Sequence, residues 1–459
     1  MAVDAFAHIA SHYRHQKTLL EAPGPLARRD PPDLEAARAL VRGALAQGRR
    51  ILSATESKAL LAAFRMPVAR AMLAETEADA VGAAEACGYP VVMKIDAPDI
   101  SHKSDVGGVR LALADAQAVA EAWRAMMDSV AKLRPEAIVR GASIEPMIVR
   151  AHARELMAGI VVDPIFGPAI TFGAGGIAIE VLRDRAVALP PLNESLIEDM
   201  IRGTRIARML GDFRNLPAVD RRALHEILLR VSEIACELPE VAELDVNPLI
   251  ADESGAVVLD ARVVLRDAPP GRKYSHLAIH PYPADLACRL DDLGVTLRPI
   301  RPEDAAIERE LVEGLSAESR RLRFHSAVRS LPPSMLARFT QIDYDREMAL
   351  IAVTEAEGRE REVAVCRYVT LPDGASCEFA IVVADDWQGR GLGRRMMRKL
   401  IELASGRGLE RMDGWIVADN AGMLKMCAAL GFAFKPEPDD SRTLRATLDL
   451  RAATPPPGT

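Results

Sequence analysis

The segment CEFAIVVADDWQGRGLGRRMMRKLIELASGRG, residues 377–408, constrains this chain most. The residues Glu378 to Val383 read as a strand. It runs into the turn Gln388-Gly389-Arg390-Gly391-Leu392-Gly393 and then into a long amphipathic helix. A strand, a glycine turn and a helix in that order present free backbone N–H groups and the positive end of a helix dipole, which suits a pyrophosphate. Gly391 and Gly393 would let the backbone come close to a ligand. On spacing alone the turn is also compatible with a dinucleotide fingerprint. That alternative requires the unit early in a parallel βαβ domain, with an acidic ribose ligand downstream. Here the turn comes late, and GWIVADNAGMLKMCAALGFAF follows it.

The pairing of Q-x-x-G-x-G with a later N-x-x-x-L and L-G-F resembles the GNAT acetyltransferase superfamily over roughly Val295 to Leu450. The resemblance implies that the backbone from Gln388 through Gly389, Arg390, Gly391, Leu392 and Gly393 holds the pyrophosphate of acetyl-CoA. It implies that the strand Ile381, Val382, Val383 pairs with the pantetheine arm, and that Asn420 and the helix after it flank the other side. Transfer to an amine needs a neutral nucleophile. A lysine ammonium has a reference pKa of about 10.4 and is protonated near neutrality, so a base must take a proton. Glu378 stands where many family members place that base, and otherwise reads as a strand-surface carboxylate. Many relatives carry a tyrosine as general acid four residues before the closing Gly-Phe; here that position is Cys427, a thiol donor or simply a small buried residue. The stretch FTQIDYDREMALIAV reads either as a structural loop or as part of an acceptor site whose acidic groups attract a lysine.

A second block, VVMKIDAPDISHKSDVGGVRL, closely resembles the ATP-grasp domain of ADP-forming acyl-CoA synthetases, relatives of succinyl-CoA synthetase β chains. Lys94 ends a strand, where an ammonium can reach phosphate oxygens as a point charge. His102 and Lys103 precede Gly107 and Gly108, a loop that could close over phosphates. Glu145, before Pro146 and Met147, falls at the expected nucleotide hinge, and His102 resembles a relay histidine of some synthetases. In AELDVNPLIAD and VVLDARVVL, Asp245, Asn247 and Asp260 are expected on adjacent strands. Their hard oxygens suit Mg2+ bridged to the phosphates of ATP or ADP. Taken singly, each residue also reads as a turn or surface charge.

The resulting expectation is an α/β chain with an N-terminal helical segment (1–50), an ATP-grasp domain (51–264), a Pro-rich linker (265–294), a mixed-sheet GNAT domain (295–450) and a tail (451–459). Within it, Asp33 reads as an N-cap, Ser53 with Glu56 as a capping box, and Leu196 to Leu238 as helical. From about Ala5 onward the chain looks like the C-terminal part of bacterial protein lysine acetyltransferases of the acyl-CoA-synthetase type. That resemblance implies a protein lysine substrate of the acetyl-CoA synthetase class, and a regulatory or relic nucleotide domain. With no synthetase domains expected ahead of residue 51, ligase chemistry would need a separate CoA-ligase-domain chain. An ADP-forming ligase β-type subunit and a small-molecule amine acetyltransferase stay open as alternatives.

Composition narrows the rest. A net charge of −7 gives no support for a nucleic-acid partner. Six scattered cysteines without a C-x-x-C pair suggest neither zinc nor disulfides, and the cytoplasm is the expected compartment. No apolar run reaches bilayer length, so no membrane association is expected, and the oligomeric state stays open.

Overall fold

The computed structural model describes residues 30–97, 100, 103–176, 184–213, 215–324, 330–356, 358–437 and 440–451. The helix expected before residue 30 and the relay candidate His102 lie outside these residues. The described chain forms two compact units, one ending at Ile279 and one beginning at His280. No helix among the described residues is long and apolar enough to cross a membrane.

The first unit opens with helices α1 (Leu34–Ala46) and α2 (Ala54–Ala63). The Asp33 side chain caps α1 by accepting from Ala36 N, and Ser53 with Glu56 closes the capping box on α2. Each cap satisfies an N–H that the helix itself leaves unpaired. A small antiparallel sheet follows, built from β1 (Met72–Ala74), β2 (Val91–Asp96), β3 (Val109–Leu113) and β4 (Gly141–Pro146) in the order β1-β4-β2-β3. Helices α3 (Glu77–Cys87) and α4 (Ala116–Leu133) cover it. All six residues of β2 are buried, the charged Lys94 and Asp96 included. Val119, Met126 and Val130 of α4 pack on Met93, Ile95 and Ile144.

The second sheet of this unit contains β5 (Arg154–Asp163), β6 (Gly167–Ala174), β7 (Arg185–Ala188), β8 (Val241–Asp252), β9 (Gly255–Val258) and β10 (Ala261–Leu265). Its order is β10-β8-β5-β6-β7, with β9 on β8. The stretch expected as helical from Leu196 to Leu238 is three helices, α5 (Glu194–Arg202), α6 (Ala207–Leu210) and α7 (Arg221–Glu237). Gly203 and Gly211 cap the first two at their C-termini. Where AELDVNPLIAD and VVLDARVVL are expected as adjacent strands, there are three, because the second is interrupted at Leu259 and Asp260, opposite Pro248 and Asn247. Asp260 therefore lies between β9 and β10 rather than on a strand.

The second unit is built on one sheet in the order β11-β12-β13-β14-β15-β16-β18-β17. Its strands are β11 (Cys288–Leu290), β12 (Val295–Pro299), β13 (Glu347–Ala356), β14 (Arg359–Thr370), β15 (Ser376–Val383), β16 (Arg411–Val417), β17 (Ala433–Glu437) and β18 (Asp440–Asp449). Helices α8 (Ala305–Gly314), α9 (Ala317–Phe324) and α10 (Pro333–Thr340) precede β13; α11 (Leu392–Gly406) and α12 (Ala421–Ala429) flank β16 in sequence. Every strand pair in this sheet is antiparallel except β15 with β16. Helix α11 buries Leu392, Met396, Met397, Leu400 and Ala404, a single stripe at helical spacing. Burial of each large member of that stripe contributes about 1.5–3 kcal/mol. On the opposite sheet face Leu311 of α8 packs with Ile351, Val365 and Val382.

Candidate functional site: a cleft opened by parting strands

Strands β15 and β16 pair over Ser376–Glu378 and Arg411–Asp413 only. Beyond Glu378 they separate, while the other edge of β15 stays paired with β14 as far as Val383 opposite Ala364. Among the described residues no strand covers the β16-side edge from Phe379 to Val383. Backbone N–H and C=O groups left on such an edge need partners, and an extended ligand arm can supply them. The cleft between the strands is a cavity of about 960 Å³. It is lined by Glu378 through Val383, by the turn at Gln388, Gly389, Gly391 and Gly393, and by Asn420.

The turn holds Gly389 at φ 75° and Gly391 at φ 79°, both in the left-handed region that favours glycine. Gly391 is the N-cap of the 15-residue helix α11, which has no side-chain cap and no acidic residue in its first turn. Its first N–H groups and dipole are therefore available to an anion. A Cβ on Gly391 would meet open space, so conformation is what selects glycine there. At Gly393 a Cβ would touch Val383 Cγ2 at 3.4 Å and Ile381 Cδ1 at 3.6 Å, narrowing the cavity. Arg390 stacks on Trp387 and donates to Asp386 O at 2.8 Å, while Arg394 lines the cavity.

Several residues that hold this site escaped the sequence reading. Asp385 accepts from Ser316 N at 2.7 Å, Ser316 Oγ at 3.0 Å and Ser319 Oγ at 2.6 Å. Burial opposes its ionisation, but the bonds from Ser319 and Ser316 hold the carboxyl below the usual range. The Gln388 side chain donates to Val383 O at 3.1 Å and Ser319 Oγ at 3.3 Å, tying the turn to β15 and α9. Arg321 of α9 reaches Asp419 at 2.9 Å beside the start of α12. Asn420 is the N-cap of α12, its Oδ1 accepting from Met423 N at 3.0 Å. It lines the cavity, so its structural duty explains its type and its place brings it beside a ligand.

Glu378 is exposed at the end of the cleft, with Arg323 of α9 also in the lining. Cys427 is fully buried in the core beneath α12, and burial pushes its thiol up to about 12. It is not among the lining residues. The loop before β13 is anchored structurally: Tyr344 is buried and donates to Ile300 O at 2.7 Å, and Arg407 donates to the carbonyls of Tyr344 and Asp345. Asp343 and Arg346 are exposed and Glu347 is half-buried.

In the first unit, Lys94 Nζ donates to Glu145 Oε2 at 2.9 Å and to Leu259 O at 2.8 Å. Lys103 pairs with Asp260 at 3.0 Å. Burial raises the Asp260 carboxyl, but Lys103, Lys94 and Lys58 together hold it below the usual range. Asn247 Oδ1 accepts from Gly176 N at 3.1 Å, and Asn247 N donates to Asp260 O at 3.1 Å. Asp245 lies two residues from Asn247 on β8, opposite Arg262; burial and nearby Glu243 push its carboxyl up. No group of three or more His, Cys, Asp or Glu is clustered for a metal among the described residues. Asp245, Asp260 and Asn247 carry the hard oxygens that Mg2+ takes together with phosphate oxygens, though Asn247 Oδ1 is bonded by Gly176 N and the Asp260 carboxylate by Lys103. Gly108 is tightly enclosed: a Cβ there would stand 2.5 Å from Ile95 Cγ2 and 2.8 Å from Lys103 O. Gly107 adopts φ 67° in the same turn, and Met147 N donates to Pro90 O at 3.0 Å.

A two-unit α/β chain with a nucleotide-type lysine cluster in one unit and a cleft beside a glycine-capped helix in the other combines an ATP-grasp fold with an acyltransferase fold. Residues 43–265 match the ATP-grasp domain family and residues 318–432 the acetyltransferase (GNAT) family. The chain is 37% identical over 229 residues to the β subunit of an ADP-forming acetate–CoA ligase of Pyrococcus furiosus, covering 50% of this chain and 97% of that subunit. An ADP-forming acetate–CoA ligase of Archaeoglobus fulgidus is 36% identical over 231 residues, covering 50% of this chain and 33% of that protein. An acetyltransferase of Pseudomonas aeruginosa is 38% identical over 160 residues, covering 35% of this chain and 86% of that protein. The chain thus belongs to the ATP-grasp family of ADP-forming acetate–CoA ligase β subunits through its first unit, and to the GNAT acetyltransferase family through its second.

Proposed function

We propose that this protein is an acetyl-CoA-dependent protein lysine acetyltransferase whose ATP-grasp unit binds a magnesium nucleotide and regulates it. The observation that carries the transferase reading is the cleft itself: an uncovered β15 edge, the bare N-terminus of α11 and Glu378 all border one cavity. Acetyl-CoA, which supplies the activated thioester, would lay its pantetheine arm along Ile381 to Val383. Its pyrophosphate would lie against the turn from Gln388 to Gly393. Glu378 accepts a proton from the incoming ammonium, leaving a neutral amine to attack. An exposed carboxylate near this opening also favours a cationic acceptor. The leaving thiolate takes its proton from water, because Cys427 lies outside the cavity.

A second reading is favoured by the first unit, where Lys94, Lys103, Asp260 and Asn247 stand together and the chain spans a ligase β subunit almost fully. In that reading the unit serves acyl-CoA formation together with a separate CoA-ligase-domain chain. One experiment separates the two. CoA release is followed with acetyl-CoA and purified acetyl-CoA synthetase as acceptor, with and without ATP and magnesium. Lysine acetylation with release supports the transferase, and a nucleotide effect supports regulation. No transfer, but ADP formation from ATP, acetate and CoA once a ligase-domain chain is added, replaces it with the ligase reading.

A further inference from the structure

Lys58 has no counterpart in the sequence reading, yet it is among the most buried charged side chains of the first unit. It sits on α2 at 3% exposure, with Nζ 2.7 Å from Glu145 Oε1. Glu145 is itself 3% exposed, and its other oxygen accepts from Lys94 at 2.9 Å. Ser143 Oγ lies 3.3 Å from Oε1. Lys94 bonds onward to Leu259 O, next to the Asp260–Lys103 pair. The cluster therefore runs from a closed end at Lys58 to an open end at Asp260 and Lys103, which are 25% and 17% exposed. Three ammonium groups, Lys58, Lys94 and Lys103, face the carboxylates of Glu145 and Asp260, and buried Asp96, two residues from Lys94 on β2, adds a third carboxylate within the field of Lys103.

Only Lys94 and Lys103 lie toward the open end. If Lys94 turned to a phosphate with no other cation present, Glu145 would be left buried and unpaired, and an uncompensated buried charge is strongly unfavourable. Lys58 removes that cost, because it holds the other carboxylate oxygen.

We propose that Lys58 is a positioning residue of the nucleotide site: by neutralising Glu145 it releases Lys94 to engage a nucleotide phosphate. This rests on the nucleotide-binding reading of the ATP-grasp unit. In the absence of Lys58, Glu145 holds Lys94 as its only ammonium partner, and phosphate must compete with a buried ion pair.

The test is a double-mutant cycle on the full chain. Binding of the magnesium complex of a non-hydrolysable ATP analogue is titrated by calorimetry for wild type, Lys58→Met, Glu145→Gln and the double variant. Thermal melting is followed in parallel. Lys58→Met is expected to weaken binding at least about tenfold, and Glu145→Gln in that background to recover most of the loss, since the competing carboxylate is gone. Wild-type affinity in Lys58→Met, or additive losses in the double variant, overturns the positioning role alone. Coupling seen in melting temperature but not in affinity also overturns it, because the pair is then only structural. No binding heat in the wild type overturns the nucleotide reading and the proposal with it. Lys58→Gln replaces Lys58→Met should the latter not fold.

Discussion

Glu378 stands opposite Asp413 in parallel register, at the last pair before β15 and β16 separate. The two carboxylates have opposite surroundings. Asp413 is fully buried and held below the usual range: burial opposes this, but bonds from Arg445, Thr447 and Arg411 outweigh it. Glu378 is exposed and borders the cavity. Asp413 thus locks the closed end of the cleft while Glu378 faces its contents. Glu378→Gln should lower acetyl transfer by roughly 10²–10⁴-fold with a lysine acceptor, the range for loss of a general base. Acetyl-CoA affinity should stay near wild type, because the proposed binding surfaces are the β15 edge and the turn. Chemistry-limited turnover and calorimetric titration of acetyl-CoA check this, and near-wild-type turnover removes the base assignment.

Gly391→Ala isolates the conformational demand of the turn. Open space surrounds the position, so the new methyl clashes with nothing, but φ 79° is strained for alanine by about 1–2 kcal/mol. The strain is relieved by shifting the N-terminus of α11, which misplaces the N–H groups aimed at the pyrophosphate. The expected result is a raised KM for acetyl-CoA, with a smaller change in kcat. An unchanged KM would place the pyrophosphate elsewhere.

Cys427→Ala tests whether the residue at the family's tyrosine position has a chemical role. The thiol is fully buried and raised to about 12, so it neither ionises near neutrality nor reaches the cavity lining. We expect kcat and its pH profile to be unchanged, with stability lowered by about 1 kcal/mol through the small void. Loss of the basic limb of the pH–rate profile would instead make Cys427 the acid.

The sequence was informative where local pattern and tertiary demand agree. The segment Val91–Asp96, placed on a strand through Lys94, is a fully buried strand, and Ser53 with Glu56 caps the helix their spacing suggests. The glycine turn was legible for the same reason: positive φ at Gly389 and Gly391 leaves glycine as the fitting residue. Lys58 was not legible, because a lysine on a helix ordinarily marks a solvated face. Only the approach of β4 turns it toward Glu145. The parting of β15 from β16 was equally hidden, since it is a relation between strands and carries no periodicity of its own. Helix breaks at Gly203 and Gly211 were passed over because the apolar spacing continues across them.

The buried carboxyl of Glu362 gives a pH-dependent prediction with a definite sign. It lies on β14 at 2% exposure, with the Glu308 carboxyl as its hydrogen-bonding neighbour. Burial first, and then the Glu308 carboxylate beside it, push it well above the usual range. Glu308 is 2% exposed and reaches Arg367 at 3.5 Å. A carboxyl whose folded value exceeds its unfolded value, about 4.3 for Glu, binds protons more strongly in the folded state. Its contribution is most favourable below the unfolded value and is lost as pH rises through the folded one. Glu362→Gln carries no such charge and can donate its amide to Glu308. The variant should therefore melt higher than wild type at pH 8, by about 2–4 °C for each kcal/mol relieved in a unit of this size. The two should converge as the pH falls toward 4. Melting curves from pH 4 to 9 decide the matter: a gap that widens toward acid, or none at pH 8, would show that Glu362 is ionised and compensated in the fold.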